Sequence, residues 1–73
     1  MASETPIRCV DQIGETAGLV WLCLRDSGPI SLAKLAKEVD APRDVIMQAI
    51  GWLAREDKVT IEERNRSRVI SLR

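Results

Sequence analysis

The spacing of apolar residues changes once in this chain, between Lys58 and Val59, and that change restricts the fold more than any other feature. Upstream, apolar side chains recur every three or four positions, the repeat of a helix with one buried face. Downstream they alternate: Val59 and Ile61 with Thr60 and Glu62, then Arg68, Ile70 and Leu72 with Val69 and Ser71. Alternation of this kind describes two strands. Placing Ile61 opposite Ile70 also places Val59 opposite Leu72 and Glu63 opposite Arg68, and leaves Asn65-Arg66 as a two-residue loop in which Asn tolerates φ > 0. The chain must therefore bundle helices first and finish on a hairpin, with Ile61 and Ile70 expected on the buried face and Val69 on the other.

Three helices are expected ahead of the hairpin. Asp11 is a plausible first N-cap, and Ile13, Ala17, Val20 and Leu24 form an inner stripe that stops at Ser27-Gly28-Pro29. Ser31 can cap a second, barely two-turn helix in which Leu32, Leu35, Ala36 and Val39 share one face. A third spans 42–56, with Pro42 expected at its first helical position, Asp44 complementing the dipole, and Ile46, Ala49, Ile50 and Leu53 facing inward. Ile30 can add a third, very short strand.

Helix, helix, short turn, helix and C-terminal hairpin is the winged helix-turn-helix architecture, mainly α with a small two- or three-stranded wing sheet. Residues 1–8 are expected to be a flexible lead-in and residues 9–73 the domain. The strings Ile13-Gly14-Glu15-Thr16-Ala17-Gly18 and Ala49-Ile50-Gly51-Trp52-Leu53-Ala54-Arg55-Glu56-Asp57-Lys58 resemble a family of small, uncharacterised bacterial winged helix-turn-helix proteins, over roughly residues 10 to 73. That resemblance implies the fold and, through architecture, an assignment to DNA binding.

Composition removes most other functions. With 73 residues there is room for one domain that buries about 60 % of its unfolded surface. There is no His, Tyr or Phe, so no Ser or Cys has the usual base to activate it, and catalysis is not expected. Cys9 and Cys23 are too far apart for a redox pair and have no His to complete a zinc site; both read as reduced, largely buried thiols. No cofactor, metal or small-molecule site is expected. Nothing resembles a leader or a membrane span, so the chain reads as cytoplasmic.

Charge divides the function readings. Eleven basic residues cancel eleven acidic ones, which is unusual for a protein whose affinity for nucleic acid must come from phosphate contacts. The distribution is less even: residues 59–73 hold four arginines against two glutamates, a local excess of two. Arg64, Arg66 and Arg68 interleave with Asn65 and Ser67 at the hairpin tip, so the wing over 62–68 suits phosphates or a minor groove. The same arginines could instead discourage edge-to-edge pairing of the sheet, with Arg68 occupied by Glu63. On the third helix, Arg43, Gln48 and Arg55 lie away from the inner stripe, where Gln and Arg can read adenine and guanine edges. The plainer reading makes them a solvated face.

A second set of residues points elsewhere. Leu19 and Leu22 project away from the inner stripe of the first helix, and Gly14 and Gly18 line that flank one turn apart. Either the helix is buried around most of its circumference inside the domain, or these four residues meet a second copy or another protein. Trp21 and Trp52 border the core stripes and are expected to be core, although a half-exposed Trp52 would suit an interface. Two function readings follow. One is a transcription-associated module binding duplex DNA through helix 42–56 and wing 62–68; the alternative is a protein-interaction or dimerisation module that keeps the architecture without DNA.

Overall fold

A computed structural model describes residues 9–73; the expectations for residues 1–8, and for burial of the Cys9 side chain, lie outside the described residues. Helix α1 (Cys9–Ser27) carries Asp11 in its first turn, inside the helix and not as the N-cap expected from the sequence, and Arg25 in its last, each complementing the helix dipole. It closes at Gly28, whose φ of 78° suits glycine and whose N–H donates to the Leu24 carbonyl at 2.9 Å. Strand β1 (Ile30–Ser31) follows at once. Ser31 has a second role as N-cap of α2 (Leu32–Glu38), its Oγ accepting from the Lys34 N–H at 3.2 Å.

Helix α3 (Arg43–Arg55) begins one residue later than the sequence suggests, because Pro42 is its N-cap and not its first helical residue. The ψ of 143° at Pro42 is extended, yet its carbonyl accepts the first helical bond, from Ile46 N–H at 3.0 Å. Two bonds close the other end: Lys58 N–H to the Leu53 carbonyl at 2.9 Å and Asp57 N–H to the Ala54 carbonyl at 3.0 Å, with Asp57 at φ 65°. This Schellman closure turns the chain directly into β2 (Val59–Arg64).

Strands β2 and β3 (Ser67–Leu72) pair antiparallel in the register the alternation requires, Ile61 with Ile70 and Glu63 with Arg68. The turn between them holds Asn65 at φ 48° and Arg66 at φ 70°. Two consecutive left-handed residues define a type I′ turn, which matches the twist of the strands. Ile30 and Ser31 pair with Ile70 and Val69 on the far side, so the strand order is β1-β3-β2 and β3 is central. Arg73 fastens the base of the hairpin, its guanidinium 2.8 Å from Asp57 Oδ1 and its N–H on the Lys58 carbonyl at 3.0 Å.

The core joins Ala17, Val20 and Leu24 of α1, Leu35 of α2, Ile46, Ala49, Ile50 and Leu53 of α3, and Ile30, Val59 and Ile70 of the sheet. Helix α1 packs principally on α3. Four expectations need correction. Ile13 is half-buried, outside the core cluster. Ile61, on the edge strand β2, is 43 % exposed although its partner Ile70, on the central strand between β1 and β2, is fully buried; an open groove separates Ile61 from Met47, Ile50 and Gly51 of α3. Trp52 is 48 % exposed and Trp21 36 %, so neither is core. Nor is α1 buried around most of its circumference, because Leu19 and Leu22 are also exposed. Cys23 is a free, half-buried thiol packed against the core.

Candidate nucleic-acid interface

The wing is the part of the molecule that leaves the core. Val59 is buried at its base, whereas every residue from Ile61 to Arg68 is exposed. The I′ turn reverses the chain in two residues, which fixes Arg66 at the tip and brings Ser67 and Arg68 back toward the helices. There they meet the chain where β1 passes into α2 and where α3 begins. The result is an open cleft of about 330 Å³ whose charged lining is Arg43, Arg66, Arg68 and Glu63, with Ser31 and Ser67 adding hydroxyls. Three guanidinium groups against one carboxylate give the cleft a net charge of +2.

Among the described residues, Arg43, Arg66 and Arg68 take part in no ion pair. Glu63 is opposite Arg68 in the ladder without bonding to it. Arg64 is different: its Nη2 lies 2.6 Å from Glu62 Oε1 on the same strand, so its charge already has a local partner. Of the six residues expected to contact nucleic acid, the structure brings three into the cleft. Gln48 and Arg55 remain on the exposed face of α3 outside it, and Arg64 sits beside it in its own pair.

Arg66 adopts a backbone conformation that favours glycine or asparagine; a long side chain there costs about 1 kcal/mol. Strain of this kind at the tip of the wing marks Arg66 as a candidate functional side chain. Between the wing and α3 a second, apolar groove is floored by Leu32, Met47, Ile50 and Ile70 and edged by Ile61 and Arg68. Sequence periodicity missed the serines of the cleft and the exposure of Ile61, since neither follows from which face of a strand a residue occupies. No group of three or more His, Cys, Asp or Glu that could hold a metal occurs among the described residues, and no helix there is long and apolar enough to cross a membrane.

Three helices, a strand between the first two, and a hairpin that projects beside the third define a winged helix-turn-helix domain. Residues 9–72 match the winged helix-turn-helix domain family (DUF2582), and the chain belongs to that family. An uncharacterised protein, MJ1608 of Methanocaldococcus jannaschii, is 37 % identical over 65 residues that cover 85 % of this chain and 91 % of that one. The family is thus not confined to bacteria. The solution structure of BT2368 from Bacteroides thetaiotaomicron superimposes with a TM-score of 0.75 at 39 % identity, covering 84 % of this chain and 74 % of that one. Two regulators share the fold at lower identity. BpsR of Bordetella bronchiseptica, described for the regulation of its DNA binding by 6-hydroxynicotinic acid, aligns with a TM-score of 0.68 at 24 % identity over 90 % of this chain and 56 % of its own. The ArsR family transcriptional regulator RHA00566 aligns with a TM-score of 0.64 at 19 % identity over 99 % and 77 %.

Proposed function

We propose that this domain binds double-stranded DNA, with α3 presented to the major groove and the wing to the adjacent backbone. The observation that carries the proposal is the convergence of Arg43, Arg66 and Arg68 on one cleft with no ion pair holding any of them. Arginine's planar fork matches a phosphate in a bidentate way, and uncommitted guanidinium groups need not break an existing pair to bind one. The shared fold with BpsR and with an ArsR family regulator supports the same reading. Gln48 and Arg55, exposed on α3 and outside the cleft, are the side chains proposed to reach base edges. Arg64 contributes less, because Glu62 competes for it.

Phosphate contacts and base contacts make different demands on mutants. In a fluorescence anisotropy titration, Arg66→Ala should weaken binding to every duplex alike. Gln48→Ala or Arg55→Ala should instead relax preference at single positions by about 1–3 kcal/mol. Absence of duplex binding at low salt, or unchanged binding by Arg66→Ala, would replace this reading with the alternative of a protein-interaction module.

A further inference from the structure

Of the six large apolar side chains exposed among the described residues, four gather at one place: Leu19, Trp21 and Leu22 of α1 and Trp52 of α3. They wall a groove of about 620 Å³ between the two helices, floored by Ala17 and Leu53. Trp21 is steadied by Arg25, whose guanidinium carbon lies 5.7 Å from the ring centroid. This groove is separate from the arginine cleft and shares no residue with it.

The groove also carries one acid and one base. Glu15 and Lys58 both line it, and neither takes part in an ion pair among the described residues. An apolar patch bordered by one uncommitted charge of each sign is complementary to itself. In a two-fold interface residue i meets residue j while j meets i, so a single acid and a single base supply two cross-pairs. The arginine cleft cannot be used in this way, because two copies would oppose like charges.

We propose that a second copy of this chain occupies the groove, the two copies being related by a two-fold axis that sets Glu15 of each against Lys58 of the other. The indole of Trp52 leaves on the order of 100 Å² to be covered. Together with Trp21, Leu19 and Leu22, which are 36–47 % exposed, it forms an apolar patch on the order of 400 Å², the size that on a small protein marks an interaction site; the polar rim of a two-fold contact supplies the rest of the interface. Gly14 and Gly18 fit the same geometry. A Cβ added at either would meet nothing within 4 Å inside the chain, so no packing within the domain explains two glycines in one helix. A second helix crossing this flank could approach its backbone closely.

Sedimentation of the chain alone, from micromolar to millimolar concentration and without DNA, should show a monomer–dimer equilibrium. Glu15→Lys and Lys58→Glu change exposed groups and should leave the circular dichroism melt in place while weakening self-association about tenfold or more, since each sets like charges together twice. An equimolar mixture of these two variants should recover the dimer, because the mixed pair restores both cross-contacts. Leu22→Glu should be monomeric and folded. A wild-type chain that stays monomeric throughout, or charge variants that associate as well apart as mixed, would overturn the proposal. Neither result bears on duplex binding, which has its own titration.

Discussion

The cleft under the wing sets Arg43, Arg66 and Arg68 against a single Glu63, whereas the groove between α1 and α3 sets Glu15 against Lys58 on an apolar wall of Leu19, Trp21, Leu22 and Trp52. The first surface sums to +2 and the second to zero. Eleven positive and eleven negative charges over the whole chain therefore do not describe either one. Phosphate responds to the local field within about a Debye length, roughly 8 Å at physiological salt, and not to a total taken over the molecule. Zero net charge is compatible with a basic cleft so long as acids are sorted elsewhere. Here Glu63 is the one acid that lines the cleft among the described residues, and the others are distributed over α1, the end of α2 and the α2–α3 turn, both ends of α3 and the neighbouring wing position Glu62.

The largest expected effect breaks both surfaces at once. Ile70 is fully buried on the central strand and joins wing to helices, so Ile70→Ala should cost about 2–4 kcal/mol in a urea melt and remove cleft and groove together. Ile61, its partner on the same rung, is half-exposed and should cost less than about 1.5 kcal/mol on the same change. Equal losses would mean that the wing packs more closely on α3 than the structure describes.

Arg66→Gly separates fold from ligand. Relief of the left-handed conformation should stabilise the domain by about 1 kcal/mol while removing one guanidinium from the cleft, so the melting temperature should rise as duplex affinity falls. A variant that melts lower would show that the turn depends on the arginine side chain. The smallest effect separates the two helices. Gly51→Ala and Gly18→Ala both add a methyl group into open space and should each stabilise by about 0.5–1 kcal/mol. Only Gly18→Ala should also weaken self-association, since Gly18 alone of the two lines the groove.

Most of the fold is legible in the sequence because each piece has a local cause. The change of period at Val59, the Ser31 cap and the Asn65-Arg66 turn each act over a few residues, and the register that pairs Ile61 with Ile70 around that turn is the observed one. What the sequence does not contain is how closely one element packs on another. Alternation places Ile61 on the same face as Ile70, yet the edge position of β2 and the open groove between it and α3 decide that Ile61 meets water. The tryptophans are misjudged for the same reason: helical spacing puts Trp52 next to the core stripe, and the width of the α1–α3 contact leaves it outside. The candidate site is legible by half. Local charge density marks the wing, but the convergence of Arg43 with Arg66 and Arg68 depends on a chain path that brings residues more than twenty positions apart into one cleft.

In the proposed complex, the three uncommitted arginines Arg43, Arg66 and Arg68 neutralise phosphates. The most direct test is the salt dependence of the affinity of the unaltered domain for a random-sequence duplex. Three phosphate contacts per protomer predict a slope of log affinity against log salt of about −2.7, so a fourfold rise in salt should weaken binding roughly 40-fold. A slope near zero, or affinity too weak to detect at low salt, would contradict the claim and leave the cleft without the ligand assigned to it.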